Sequence, residues 1–318
     1  MNAQAMSGEP ATRGHVLLLG DERDPVCALA RESLARCGQS SRLVTSLADL
    51  RLSIRLGDGA PAVGMRFDDG LSIIDADVRG VLLRTASGLC AEGWDPADLE
   101  YASAEARSTL IAWLWSLACP VVNRPRPELW YCGQASAFGW RRELRRAGLP
   151  LKPHSVRCGT GIDVRRGLPA HALLTTGTGA AAYDVRDGRE WESVQRLAAM
   201  LPVTLAPRHG SAAVACVVSG AVVWARDPAL LFRACEPALA RLAAVAGLDL
   251  FEVGLVDVDG RACVEAIDAW GSLRAFDEAA RRDIGARLAR ALMRPAADDL
   301  LRYESAYAAS WIREEVTT

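Results

Sequence analysis

The chain has 318 residues, half of them apolar, and a formal net charge of −2. This length fits about two domains, and the nearly balanced charge indicates neither a nucleic-acid partner nor a membrane partner. Nine cysteines without a CxxC pair exclude a short disulfide scaffold and favour buried free thiols in a reducing cytoplasm. No apolar run reaches the roughly 18–20 residues that span a bilayer, and nothing resembles a signal peptide, so we expect a soluble cytoplasmic protein.

The first part of the chain predicts a disordered N-terminus, residues 1–13, and an open α/β domain, residues 14–126. The apolar run at 15–20 suits a buried parallel strand, 25–37 has apolar residues at helical spacing, and 42–45 reads as a second strand. This β-α-β order is typical of an open α/β sheet. Further predicted elements are a hairpin at 63–67 and 71–74, a strand at 80–84, a helix at 101–117 and a strand at 119–123.

The remaining residues, 127–318, change in character to a helix followed by short strands. We expect a two-lobed domain, with a small lobe at about 150–225 and a C-terminal lobe at about 226–318. Tight hairpins are predicted at Ser219-Gly220 and at Asp259-Gly260. The predicted helices cover 128–147, 194–200, 228–246, 283–293 and 298–313, and the predicted strands cover 154–158, 172–176, 180–185, 212–218, 221–225 and the two arms around Asp259-Gly260.

Three stretches, in this order, resemble the ATP-grasp superfamily in its branch of glutathione-synthetase-like and ribosomal-modification-type carboxylate–amine ligases. They are YASAEARSTLIAWLWSLACPVVNRP at 101–125, RRELRRAGLPLKPHSV at 141–156 and LARLAAVAGLDLFEVGLVDVDGRACVEAID at 239–268. The resemblance covers most of residues 14–295 and rests on the order of the three stretches. It implies an α/β (α+β), ATP-grasp-like fold, in which an N-terminal open α/β domain is followed by a two-lobed ATP-grasp domain.

The resemblance also implies a chemistry, in which ATP phosphorylates a carboxylate and an amine then attacks the acyl phosphate. Such transfer relies on Lys or Arg side chains and on magnesium held by carboxylates. In the family, one strand of a hairpin supplies an Asp to the metal and the returning strand supplies Glu-x-Asn. Glu265 matches the Glu. Ile267 stands at the Asn position, and Gly254, which we expect directly opposite Glu265, stands at the Asp position.

Glu252 offers a second carboxylate for this metal site. In the register expected from the Asp259-Gly260 turn, it shares a strand face with Glu265, one diagonal step away at roughly 7–8 Å between Cα atoms. Glu265 and Glu252 are therefore the candidate metal ligands, with ordinary strand carboxylates as the alternative. Asp257 and Asp268 are expected on the other face, an assignment that a one-residue slip would change.

The nucleotide-binding motifs of the family are also altered. The stretch that matches the glycine-rich lid, residues 173–179, contains no lysine. Gly177 and Gly179, with neighbouring threonine hydroxyls, are the candidate phosphate-binding residues, and a plain turn is the alternative. Arg226 and Arg233 are the candidate replacements for the family's arginine at the triphosphate.

Few other charges could replace the missing ones. Lys152, the only lysine of the chain, lies where we expect the entrance of a strand rather than a phosphate contact. At 205–213, which matches the adenine hinge, the acidic and arginine positions are apolar or small. Because neutralising the triphosphate is the main task of such a site, these losses together indicate poor binding of Mg-ATP.

Two hypotheses about function result. In the first, the chain is a ligase-like pseudoenzyme with weak or lost activity that binds a peptide, a small molecule or a partner enzyme, in a specialised biosynthetic pathway. In the second, it is an active ATP-dependent carboxylate–amine ligase that modifies peptides, with an Mg-ATP site rebuilt around Glu265, Glu252 and arginines. ATP and Mg²⁺ are thus cofactors of the second hypothesis.

Overall fold

The structure is a computed structural model that describes residues 14–46, 51–55, 62–67, 69–84, 92–125, 137–152, 155–157, 170–176, 179–185, 187–198, 203–207 and 212–295. These residues form two compact units. The first runs to Val122 and includes the described residues from Ala289 onward, and the second is Asn123–Leu288. The divisions expected near residues 126 and 226 stay predictions, and the N-terminus at 1–13 lies outside the described residues. No described helix is both long enough and apolar enough to cross a membrane.

The first unit contains seven of the described strands and two of the described helices. Their bounds are β1 His15–Leu19, α1 Pro25–Arg36, β2 Ser41–Val44, β3 Arg51–Arg55, β4 Ala62–Arg66, β5 Ser72–Ile74, β6 Val78–Leu83, α2 Pro96–Ser116 and β7 Val121–Val122. Four strands form a sheet in the order β2-β1-β6-β7, with parallel pairing throughout. The predicted β-α-β start and the parallel sheet are confirmed. A second sheet, β3-β4-β5, is antiparallel and contains the predicted hairpin.

Capping residues decide where the helices of this unit begin. The Asp24 carboxylate accepts a hydrogen bond from the Val26 amide at 2.8 Å, and α1 begins at the proline between them. In α2 the same pattern recurs, because Asp95 accepts from the Ala97 amide at 2.9 Å and Pro96 is the first helical residue. The helix predicted from residue 101 therefore begins five residues earlier, at Pro96.

The second unit contains the remaining strands. The bounds of its elements are α3 Ala137–Ala147, β8 Ser155–Arg157, β9 Ala170–Thr176, β10 Gly179–Val185, α4 Gly188–Ala198, β11 Val203–Pro207, β12 Ala212–Val218, β13 Ala221–Trp224, α5 Leu230–Arg233, α6 Glu236–Ala246, β14 Leu250–Val258, β15 Arg261–Asp268 and α7 Glu278–Leu292, the last of which ends in the first unit. The strands form two antiparallel sheets, β10-β9-β11-β8 and β13-β12-β14-β15. The mixture of helices and sheets agrees with the predicted fold class.

One apolar core holds the second sheet of this unit against α3 and α6. Leu144, Leu239 and Leu242 are at most 1% exposed, as are Phe251 and Leu255 on β14. Burying a side chain of this size stabilises the fold by about 1.5–3 kcal/mol. The core therefore fixes α3, α6 and the β14–β15 hairpin as one packed body, whose opposite sheet face carries the predicted metal ligands.

Some predicted elements differ from the structure. The helix expected over 228–246 is two helices, α5 and α6, because Pro237 has no amide hydrogen and fits only in the first turn of a helix. The strands β3 and β11 were not predicted. The part of the predicted helix before residue 137 and the helix expected at 298–313 lie outside the described residues.

Candidate functional site

The hairpin of β14 and β15 contains a β-bulge that changes the predicted register. Counting outward from the turn, Leu255 pairs with Val264, but the next pair is Gly254 with Ala266, so Glu265 is an extra residue on β15. The expectation that Gly254 lies directly opposite Glu265 is therefore wrong. The physical reason is that an extra residue in one strand offsets the pairing of every residue beyond it.

The bulge brings Glu252 and Asp268 together instead. They are direct partners across the two strands, and directly paired residues share a face, with Cβ atoms about 4.5–5.5 Å apart. The prediction that Asp268 lies on the face opposite to Glu252 is wrong for the same reason. The one-residue offset is the slip that reverses this assignment.

Both of these carboxylates also hold the turn that follows β15. Glu252 Oε1 accepts a hydrogen bond from the Leu273 amide at 2.5 Å, and Asp268 Oδ1 accepts one from the Trp270 amide at 2.9 Å. Gly271 packs against Glu252 so closely that a Cβ atom there would lie 2.5 Å from Oε1. A side chain at this glycine would displace the Glu252 carboxylate, so the turn and the carboxylate are fitted to each other.

Glu265, the bulged residue, forms an ion pair with the only lysine of the chain. Lys152 Nζ lies 2.5 Å from Glu265 Oε1, and the two side chains are 4% and 27% exposed. The lysine is placed by the backbone, because the segment before it lies alongside β15. Lys152 N donates to the Val264 carbonyl at 2.9 Å, and Val264 N donates to the Pro150 carbonyl at 2.7 Å. The pair is therefore part of the extended sheet.

This pairing changes what Glu265 can do chemically. A magnesium ion is usually held by one or two carboxylates, together with waters and substrate phosphates. Here the carboxylate is already paired with the buried ammonium of Lys152, which a metal ion would have to displace. The role of Glu265 as a metal ligand stays a prediction.

Asn123 is a buried residue whose importance was not recognised in the sequence. Its side-chain amide donates to the carbonyls of Leu250 and Ala269, at 2.7 and 3.1 Å, and its oxygen accepts from the amides of Asp249 and Leu250, at 3.0 and 2.9 Å. It thereby joins the start of β14 to the end of β15. The backbone of Asn123 has φ = 57°, a conformation that asparagine tolerates better than most residues. Asn123 lies in the stretch PVVNRP at 120–125, which supports the family resemblance but did not by itself predict these hydrogen bonds.

Of the candidate nucleotide-binding residues, three are among the described residues. Gly177 lies outside them, and Gly179 is the first residue of β10, opposite Thr176. Arg226 is exposed. Arg233 is also exposed and forms an ion pair with Asp227, six residues earlier. Their roles as phosphate ligands stay predictions.

Among the described residues, no three or more His, Cys, Asp or Glu side chains lie together in a group that could hold a metal ion. Nucleophilic cysteines are not favoured either, because burial raises the pKa of the Cys263 thiol on β15 and of the Cys235 thiol before α6. A protonated thiol is a poor nucleophile. The choice between a pseudoenzyme and an active ligase therefore depends on the hairpin carboxylates Glu252, Glu265 and Asp268 and on the groups that pair with them.

The chain is similar in structure to several peptide-modifying ligases. A RiPP-associated ATP-grasp ligase of Chryseobacterium gregarium, in complex with ADP and a leader and core peptide, is 13% identical, with a TM-score of 0.68 over 88% of this chain and 96% of that one. Macrocyclase MdnB of Microcystis aeruginosa is 16% identical, with a TM-score of 0.66 over 88% and 99%. The ligase PsnB, complexed with a minimal precursor, Mg and ADP, is 18% identical, with a TM-score of 0.62 over 89% and 98%.

No protein-family model matches the chain, and no curated protein sequence matches it. At identities below 20%, the structural similarity shows the fold and does not transfer an activity. It extends over most of this chain and nearly all of each of the similar structures. The resemblance inferred from the three sequence stretches is confirmed at this level, and the chain has the ATP-grasp fold.

Proposed function

We propose that this chain is an ATP-grasp-fold peptide-binding protein whose ligase activity is weak or lost. The observation that carries the proposal is the ion pair between Lys152 and Glu265, since it neutralises the carboxylate that best matches the family's metal ligand. The similar structures support the choice of a peptide over the small molecule or partner enzyme that the sequence also allowed. Several of them hold a precursor, leader or core peptide.

The physical argument concerns the charge of the nucleotide. A triphosphate is bound by magnesium and by Lys or Arg side chains, and it binds poorly in a cleft that lacks them. The only lysine of the chain, Lys152, is already paired. Of the two candidate arginines, Arg233 pairs with Asp227. A reducing cytoplasm remains the proposed location, because the described cysteines are free thiols and four of them are buried.

A second candidate function is an active ligase with a rebuilt metal site. The observation in its favour is the direct pairing of Glu252 with Asp268, which places two carboxylates side by side on one sheet face. Two such carboxylates could share a divalent cation.

Formation of ADP from Mg-ATP, with peptides that contain carboxylate and amine side chains, distinguishes the two functions. The proposed function predicts turnover at, or only slightly above, the level of the protein-free background. If turnover occurs, Glu252→Gln with Asp268→Asn should abolish it, and Glu265→Gln should leave it unchanged. Turnover that is lost in Glu265→Gln would contradict the internal ion pair as the resting arrangement of the site.

A further inference from the structure

Over residues 140–147 of α3, every exposed side chain is an arginine. Trp140, Leu144 and Ala147 are buried, and they lie within about 60° of one another around the helix axis. On the opposite side of this stretch lie four exposed arginines, namely Arg141, Arg142, Arg145 and Arg146. We call these four residues the arginine face. Its basic character is local, because the whole chain has a net charge of −2.

The arginine face is unpaired, in contrast to arginines on other helices. Within the part of the chain that the structure describes, none of its four guanidiniums forms a hydrogen bond or an ion pair. On α1, Arg36 pairs with Glu32 four residues earlier, and on α7, Arg287 pairs with Asp283 in the same way. Like charges three or four residues apart destabilise a helix. The arginine face therefore carries a cost in stability that no ion pair among the described residues offsets.

A fifth arginine extends this surface from the neighbouring helix. Arg241 of α6 is exposed, and its Nε donates to the carbonyl oxygen of Ala147 at the end of α3, at 3.1 Å. A cation in this position also complements the negative end of the helix dipole. The acidic side chains of the two helices are few. Glu143 of α3 is half-buried, and Glu236 of α6 accepts a hydrogen bond from the Trp224 indole at 2.7 Å.

We propose that the arginine face, with Arg241, is a docking surface for an acidic peptide segment. Arginines four residues apart on a helix are separated by about 6 Å along its axis. In an extended peptide, alternate side chains on one face are separated by about 6.6 Å. Carboxylates at alternate positions of an extended peptide can therefore meet the rows Arg141/Arg145 and Arg142/Arg146, each through a forked guanidinium. The partner being a peptide rests on the proposed function.

The extent of the surface favours a short peptide over a nucleic acid. Specific nucleic-acid binding draws on roughly 6–10 phosphate contacts and on domains with a strongly basic isoelectric point. The arginine face covers less than two turns of one helix, and the chain has an isoelectric point near 6.1. Its charge suits a few carboxylates on a short segment and would be insufficient along a nucleic-acid strand.

Fluorescence anisotropy with a labelled octapeptide of alternating Glu and Ala tests this inference. The full chain should bind it at about 50 mM salt and more weakly at about 300 mM, because added salt screens exposed charges. Binding should weaken at least about tenfold in Arg142→Glu/Arg146→Glu. It should stay within about twofold in Arg274→Glu/Arg282→Glu, which changes the charge of two other exposed arginines of the same unit by the same amount. Arg142→Lys/Arg146→Lys should give an intermediate loss.

The inference would be overturned by an equal loss of binding in both reversal variants or by no binding of the acidic peptide. Equal binding of an alternating Gln and Ala peptide, or tighter binding of a 20-nucleotide single-stranded DNA, would also overturn it. Acidic-peptide binding that does not respond to the reversals would exclude α3 as the surface and leave the proposed peptide-binding function standing. If Arg142→Glu/Arg146→Glu fails to fold, judged by its thermal transition, Arg141→Ala/Arg145→Ala tests the other row.

Discussion

The β14–β15 hairpin and helix α3 belong to the same unit, yet they differ in whether their charged side chains have partners within the protein. On the hairpin, Glu265 has a lysine within 2.5 Å, and Glu252 accepts a hydrogen bond from a backbone amide. On α3, four arginines are exposed and make no described ion pair. One region satisfies its charges internally, and the other presents them to solvent.

This difference indicates where the protein is prepared to meet a partner. A binding site that must hold a cation keeps carboxylates available, whereas Glu265 is already neutralised. A surface that must hold an anion keeps cations available, as the arginine face does. The proposed docking surface is therefore on α3 and not on the β14–β15 hairpin. The predictions below alter one region at a time, from the largest expected effect to the smallest.

Substitution of Asn123 should have the largest effect on the hairpin. Asn123→Ala removes four hydrogen bonds and leaves buried groups of Asp249, Leu250 and Ala269 without these partners. We expect a loss of about 3 kcal/mol in the free energy of unfolding, measured by urea denaturation. Asn123→Asp should also destabilise, because a carboxylate cannot donate to the two carbonyls. A loss below about 1 kcal/mol in Asn123→Ala would show that these four hydrogen bonds contribute little to stability.

Removing the lysine tests the internal neutralisation of the hairpin. Lys152→Met leaves Glu265 without its cation, and we expect a loss of about 2 kcal/mol in the free energy of unfolding. The cost is at the lower end of the range for buried pairs because Glu265 is 27% exposed and retains some hydration. The double variant Lys152→Met/Glu265→Gln should recover more than half of the loss. If the double variant is no more stable than the single one, the pair does not act as a unit.

Reversing one charge on α3 should slightly stabilise the protein, whereas the two preceding substitutions destabilise it. Arg141→Glu replaces a repulsion with Arg145 by an attraction at the favourable spacing of four residues. We expect the free energy of unfolding to rise by a few tenths of a kcal/mol. Arg287→Glu is the matched control on α7, where the same change breaks the pair with Asp283 and should destabilise. If thermal unfolding shows equal effects of the two substitutions, the conclusion that the arginines of α3 are unpaired is contradicted.

Much of the fold could be predicted from local sequence signals. The strand at His15–Leu19 is a continuous apolar run, and α1 lies between a capping Asp and a Gly stop. The turn at Asp259-Gly260 has positive φ at both residues, as its Asp-Gly sequence predicts. The helix expected at 228–246 was wrong because the effect of Pro237 was overlooked, although the rule for proline predicts the break.

The site was less predictable because it depends on register and on distant pairing. Val264 and Ile267 are both buried and lie three positions apart in sequence. In a regular strand, neighbouring residues on one face are two positions apart, so the spacing of three reflects the bulge between them. That spacing was a signal in the sequence. The partner of Glu265, Lys152, is 113 residues away in sequence. No local sequence pattern relates a lysine before β8 to a carboxylate on β15. Such pairs become visible only when the chain is folded.

Calorimetric titration of the full chain with a non-hydrolysable ATP analogue and Mg²⁺ tests the central claim most directly. The account predicts no binding in the micromolar range, because Glu265 is neutralised by Lys152 and the described residues contain no metal-binding cluster. Micromolar binding that is lost in Glu265→Gln would contradict the account, since it would mean that Glu265 leaves Lys152 to hold the metal of an active nucleotide site.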